Sequence, residues 1–339
     1  MAVLWTDVID PAELTGYVRA ALSDYEARKG TLARWLPNRE VADTVVRFRK
    51  ATAGLVAEAS YREYDAEPEV GSTPGGQRVT IELPAVSQEI PISEYQQLRA
   101  RNATDESIRN AILTTSEAVV RAIADRVERT RGVVLNTGKA TISQSNYISD
   151  DDFGRAGAMS PTAGTLWSNT AADGLGYLET LRDLYVDTNG EEPGVIVTST
   201  RVLRALARLE GMATLLVNGS SRAATISEVN GLVTGAGLPE IVVYDRRTKT
   251  GRVIPDTQLL MLPAPTDPNG ESELGATFWG QTLTADSPDF RDAGLDELPG
   301  LVAGVWRETK IPMIALVIGD SINLPVLANA DLSLSAKVL

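Results

Sequence analysis

One long amphipathic run, Thr104 to Gly138, constrains this chain more than any other stretch. Apolar residues recur at Ile108, Ala111, Ile112, Val119, Ala122, Ile123 and Val127, which is helical spacing on one face. Thr104 is placed to cap the start. Asp105 and Glu106 sit in the first turn, where the helix dipole favours negative charge. Glu117, Arg121, Asp125 and Arg129 follow one another at four-residue spacing and predict a charged ladder on a more exposed face. Gly138 predicts the C-cap, with Asn136 just inside it. From Asp105 to Asn136 such a helix spans about 48 Å. Two residues predict a break or bend. Gly132 lies inside the run, at a cost of about 1 kcal/mol relative to Ala, and Arg126 falls on the apolar face. Taken alone the stretch reads as a core helix; its flanks decide what kind.

The segment before it is extended. Thr44 to Lys50 alternates as a strand, with Val46 and Phe48 on one face and Arg47 and Arg49 on the other. Leu55 to Tyr64 also reads as a strand. A turn-rich tip follows at Pro68–Gly76, and Gln77 to Leu83 returns with Val79, Ile81 and Leu83 in phase. This predicts a long hairpin with few large apolar residues. A two-stranded hairpin is marginal alone in water, and no partner in its own chain is evident, so a neighbouring copy is the expected support. Upstream, Pro11–Ala27 predicts an amphipathic helix. Leu32–Asn38 predicts a non-repetitive segment anchored over a surface by Trp35 and Leu36.

Downstream the pattern changes. Lys139–Ile142 predicts a short strand and Tyr147–Leu166 a loop. A compact α+β block follows at about 145–305, with helices at Asp173–Thr188, Thr200–Leu209 and Thr225–Leu232. Its buried strands are predicted at Val195–Thr198, Glu240–Tyr244 and Gln258–Pro263. The C-terminus is strand-rich: Val305–Thr309, Ile314–Ile318, Asn323–Leu327 and Ser333–Val338. It is expected to pack back near the long helix, so one domain is built from residues distant in sequence.

The chain has 339 residues, enough for one large or two ordinary domains. It has no cysteine and no histidine. Thiolate metal sites, disulfides and serine–histidine triads are therefore excluded, leaving carboxylates, Lys, Tyr or backbone groups for any catalysis. The formal net charge of −13 disfavours broad contact with nucleic-acid phosphates. Met1–Asp7 shows no basic region followed by an apolar core, so no signal peptide is expected. The longest apolar run, Ile311–Ile318, is interrupted by Pro312 and too short to span a membrane. Cytoplasmic synthesis and no membrane partner are expected.

No constellation of residues carries catalysis. Asp150, Asp151 and Asp152 lack the alternating ligands, glycine and distal Glu of a calcium loop and read as a solvated loop. Gly235-Ala-Gly237 precedes a strand rather than a helix and reads as a turn. Trp167, Trp279 and Trp306 read as core or interface anchors. Arg47, Arg62 and Arg78, with Glu58, Glu63 and Glu67, lie in or beside the hairpin. Either they form a solvated strand face, or they pair with an adjacent subunit and fix register. Trp35, Arg47, Glu58, Arg62, Glu63 and Arg78 are the candidate intersubunit contacts.

The order of an N-terminal arm, a poorly packed hairpin, a long helix, an inserted α+β domain and a strand-rich return is specific. It resembles the tailed-bacteriophage major capsid proteins with the Hong Kong 97-type fold, and among them the group typified by the bacteriophage lambda major head protein. Arg131-Gly-Val-Val-Leu-Asn-Thr-Gly-Lys139 resembles that group's helix end and Gly-Lys strand start. Leu274-Gly-Ala-Thr-Phe-Trp-Gly280 resembles its Gly-Ala-Thr segment. Ser321–Asp331 resembles its Leu-Pro…Asn-Pro-Asp ending, with Ala330 where proline is usual. The resemblance implies an α+β fold with four parts: an N-terminal arm at 1–43, an extended loop at 44–95, a peripheral domain with a spine helix at 96–144 and 306–339, and an axial domain at 145–305. It implies a non-enzymatic shell protein without cofactors, self-assembling through pentamers and hexamers into an icosahedral capsid. That capsid encloses the phage genome without sequence-specific DNA binding, and forms in the host bacterial cytoplasm before residing in the virion. Its expected partners are identical subunits, a separate scaffolding protein, a portal and a decoration protein. Two other readings stay open: an encapsulin-type cellular shell around an enzyme cargo, and a carboxylate-dependent α+β enzyme.

Overall fold

A computed structural model describes residues 2–50, 77–100, 105–144, 147–212, 223–267, 270–287, 290 and 299–339. Its helices are α1 (Pro11–Lys29), α2 (Glu94–Ala100), α3 (Asp105–Thr137), α4 (Gly174–Asn189), α5 (Thr200–Ala207) and α6 (Ile226–Gly235). The larger sheet contains β1 (Ala2–Leu4), β2 (Asn38–Glu40), β5 (Ala85–Ile92), β13 (Gly275–Gly280), β14 (Val302–Glu308) and β15 (Ala315–Leu327). A four-stranded sheet contains β8 (Val195–Thr198), β9 (Ile241–Val243), β12 (Gln258–Leu262) and β16 (Leu334–Lys337). Three two-stranded ladders complete the set: β3 (Val45–Lys50) with β4 (Gln77–Glu82), β6 (Lys139–Gln144) with β7 (Tyr147–Asp152), and β10 (Arg247–Thr248) with β11 (Gly251–Arg252).

The central helix is continuous over 33 residues. Its proposed cap, Thr104, lies outside the described residues. Gly138 ends it at φ 72°, a left-handed conformation that suits glycine, with its N–H donating to the Val134 carbonyl at 2.8 Å. The expected break at Gly132 is absent. A Cβ there would meet the Val253 carbonyl oxygen at 2.4 Å, so this glycine admits a close backbone approach rather than a bend. Of the expected apolar stripe, Ile112, Val119, Ile123 and Val127 are buried, while Ala111 and Ala122 face solvent.

β15 organises the larger sheet. Its first half pairs antiparallel with β14, its second half with β13, and β5 runs along Ala315–Ile322. One strand of 13 residues replaces the two expected there. Pro325 lies beyond Ile322, where pairing with β5 ends and a missing N–H is tolerated. β5 was not legible as a strand, because Ser87, Gln88, Glu89 and Pro91 break any apolar alternation; pairing with β15 supplies what side chains do not.

Of the segment 1–43, the described residues from Ala2 onward pack on the body through β1, α1 and β2. Asp10 caps α1 by accepting from the Ala12 N–H at 2.8 Å, and Pro11 opens the helix. Leu14 and Val18 are then buried in one core with Ile112, Val119 and Val305. The hairpin stem also sits on its own subunit. Val46, opposite Ile81 in the ladder, is buried with Ile81 and Leu83 in the main core, so the expectation that its own chain offers no support is corrected for the stem. Leu55–Tyr64 and the tip Pro68–Gly76 lie outside the described residues.

Tyr147–Asp152, expected as loop, is strand β7. Its acids take separate partners: Asp150 accepts from the Thr141 hydroxyl at 2.6 Å, Asp151 from the Ser149 hydroxyl at 2.6 Å, and Asp152 pairs with Lys139 at 2.8 Å. Two boundaries run differently from the sequence expectation. Residues 275–305, placed in the 145–305 block, supply β13 and the start of β14 to the larger sheet. Leu334–Lys337, placed with the returning strands, completes the smaller sheet through Leu259 opposite Ala336, both buried. Burial on both faces of β12 and β16 outweighs their sequence position.

Candidate functional site

The six candidate contact residues divide. Trp35 is buried to 4% exposure, and its indole N–H donates to the Pro263 carbonyl at 3.2 Å. It pins the Leu32–Asn38 segment to its own subunit beside fully buried Leu32 and Leu36, so the Trp35 ring itself is turned inward rather than toward a neighbour. Arg47 is exposed on β3, opposite Thr80. Arg78 stands opposite Arg49, so the register places positions 47, 49 and 78 on one face of the stem. Glu58, Arg62 and Glu63 lie outside the described residues.

Sequence reasoning missed a buried ionic network on α3. Arg131 is fully buried. Its guanidinium donates to Glu26 at 2.8 Å, Glu128 at 3.0 Å, the Thr31 hydroxyl at 3.1 Å and the Thr277 hydroxyl at 2.9 Å, and also to Asn38. Glu128 accepts in addition from the Leu32 N–H at 2.7 Å and from the Tyr244 hydroxyl. Arg246 reaches Asp125 at 3.1 Å and the Gly30 carbonyl at 2.8 Å, with its guanidinium 5.2 Å from the Tyr25 ring centre. The signal was present as Glu128 and Arg131, charges within a widening run of Val127, Val134 and Leu135.

The electrostatics of this network suit a lock. Burial alone would lower the Arg131 value, but Glu26 and Glu128 more than offset it and hold the guanidinium charged. Arg246 behaves the same way beside Glu128 and Asp125. Burial, then Glu128, pushes the Tyr244 phenol upward. A general acid or base works with a value near the operating pH, and these groups move away from neutrality. The α3 terminus is held similarly. Arg155, lowered by burial to about 10, donates to the Leu135 carbonyl at 3.0 Å and the Asn136 carbonyl at 2.6 Å, and Ser333 donates to Leu135 at 2.7 Å. Among the described residues, no cluster of His, Cys, Asp or Glu is arranged to hold a metal ion. No described helix is long and apolar enough to cross a membrane.

The chain matches the family model described as "Phage major capsid protein E" over residues 12–278. No curated protein matches the sequence. Among solved structures it is similar to a protein described as the capsid protein of a prophage in Escherichia coli CFT073. That match has 17% identity and a TM-score of 0.59, with 100% of each chain covered. It is similar also to a phage-related protein from Bordetella bronchiseptica RB50, at 14% identity and a TM-score of 0.55, covering 99% of this chain and 97% of that one. A third is the capsid of a native GTA particle, at 12% identity and a TM-score of 0.50, covering 91% and 88%.

Proposed function

Because the chain belongs to the phage major capsid protein E family, and is thus a shell-building structural protein of the Hong Kong 97-type α+β fold, we propose that its copies assemble as pentamers and hexamers of an icosahedral shell around the phage genome. The observation that carries this is the family match across 12–278, which spans the hairpin stem, the continuous α3 and the inserted block together. In this reading the body around the four-stranded sheet is the axial part, and the larger sheet with α3 is the peripheral part. On that reading the chain is a structural protein and carries no enzymatic activity. Among the described residues, the buried network of Glu128, Arg131, Arg246 and Tyr244 is locked in mutual pairs, which suits a structural role. Shell assembly takes place in the host cytoplasm, with scaffolding, portal and decoration proteins as further partners, and needs no cofactor.

An acidic wall with net charge −13 does not adhere to DNA, which favours packaging and ejection. Many modest contacts per subunit permit correction during growth and still add up over a closed lattice. Arg47 and Arg78 on the stem, with Glu58, Arg62 and Glu63 beyond it, are the contacts proposed to fix register between neighbours. The test is electron microscopy of the recombinant protein, which should give capsomers, shells or tubes; a strictly monomeric protein at high concentration overturns the reading. Deleting Pro68–Gly76 should leave a folded subunit that fails to close shells, and normal shells from that deletion would remove the segment's role.

A further inference from the structure

Two helices that share the core of the four-stranded sheet carry opposite charge on their outer faces. On α4, Leu178, Leu181 and Tyr185 are buried, while Glu179, Asp183 and Asp187 recur at four-residue spacing on the opposite, exposed face. On α5, Val202, Leu203 and Leu206 are buried, while Arg201, Arg204 and Arg208 stand exposed on the opposite face. A Cβ on Gly174 of α4 would meet Leu206 and Leu209 at 2.6 and 2.5 Å, so the helices meet by their buried sides and turn their charged sides outward. Much of this charge is unneutralised within the subunit. Glu179, Asp187, Arg204 and Arg208 have no ion-pair partner among the described residues. Asp183 has only Arg182 at 3.6 Å, and Arg182 is drawn to Glu192. Arg201, Arg204, Arg208 and Arg252 line one hollow of about 350 Å³, and the acids paired with them there are Asp245 and Asp256.

The dimensions of the two faces agree. Acids at i, i+4 and i+8 extend about 12 Å along α4, and arginines at i, i+3 and i+7 extend about 10.5 Å along α5. We propose that the acidic face of α4 on one copy docks on the basic face of α5 on the next, a head-to-tail contact repeated around a ring. Like faces repel, so two copies do not meet α4 to α4 or α5 to α5. Only the heterologous arrangement satisfies both faces, and it is the kind that closes into rings rather than two-fold dimers. The inference rests on the shell reading and names the surface that gives its capsomers their direction. Exposed ion pairs contribute little each, so the contact sets orientation and register more than affinity.

The test swaps charge at the four residues without an ion-pair partner and follows assembly of the full-length chain by electron microscopy. R204E/R208E and E179R/D187R should each lower shell yield by about tenfold, because like charges then meet in every contact. A chain carrying all four changes should regain shells. An equimolar mixture of the two double variants isolates the ring geometry. Each copy then accepts only the other kind as its neighbour, so six-membered rings should form and five-membered rings should not, giving sheets or tubes in place of closed shells. Thermal unfolding of the unassembled variants should match wild type, since these four side chains are exposed and outside any ion pair of the described residues. Wild-type shell yield from either double variant overturns the proposal. So does a folded fourfold variant that does not recover, a mixture that closes shells, or loss of binding to a DNA oligonucleotide as the only effect of R204E/R208E. In each of those cases the wild-type protein still forms shells, which separates this failure from failure of the capsid reading.

Discussion

The two halves of α3 are one helix in two environments. Up to Ile123 a narrow stripe of Ile112, Ser116, Val119, Val120 and Ile123 is buried against α1 and the larger sheet, and Glu117 and Arg121 pair at 2.8 Å on the outside. From Ala124 onward burial widens to take in Val127, Glu128, Arg131, Gly132, Val134 and Leu135, and charge goes inside with it. The first half is held by apolar contact that any residue of similar size satisfies. The second is held by ionic partners and one close backbone approach, which few substitutions satisfy. Stability and specificity therefore sit at different ends of the same element.

The contrast can be broken most sharply at Glu128. Replacing it with Ala leaves Arg131 and Arg246 buried without their shared carboxylate, and should cost about 3–5 kcal/mol in denaturant unfolding. A loss under about 1 kcal/mol would mean that the network is not what holds the second half. Next is G132A, which should cost about 1–3 kcal/mol because the added methyl meets Val253, although alanine is the better helix former. The control is G16A in α1. There a Cβ has open space, and the same change should stabilise by about 1 kcal/mol. Equal effects at the two glycines would erase the distinction. The smallest change is R121A in the first half, which should cost about 0.3–0.5 kcal/mol and less at high salt.

Legibility in the sequence follows the same division. The length of α3, its Gly138 cap and the outer Glu117–Arg121 pair are local features, and they stood where spacing put them. Asp125, expected in that outer ladder, instead turns to Arg246, a residue 121 positions away. The hairpin was legible as strands through Val46, Phe48, Val79 and Ile81, while its stem's seat on its own core depends on long-range packing. Trp35 looked like a surface anchor because nothing local shows that the Pro263 carbonyl waits beneath it. β5 could not be read at all, since its stabilising groups are backbone N–H and C=O that every sequence has. Site residues suffer most, because charge complementarity between distant segments leaves no periodicity to find.

The position of β15 bears on when a subunit becomes competent. β5 and α3 precede Ala315–Leu327, the strand both lean on, by well over a hundred residues of chain. A nascent chain therefore carries the adhesive parts without the frame that orients them. The contact surface is finished only once Ala315–Leu327 has joined the sheet. The order of the strands thus couples the orientation of β5 and α3 to the last sheet strand of the frame they share.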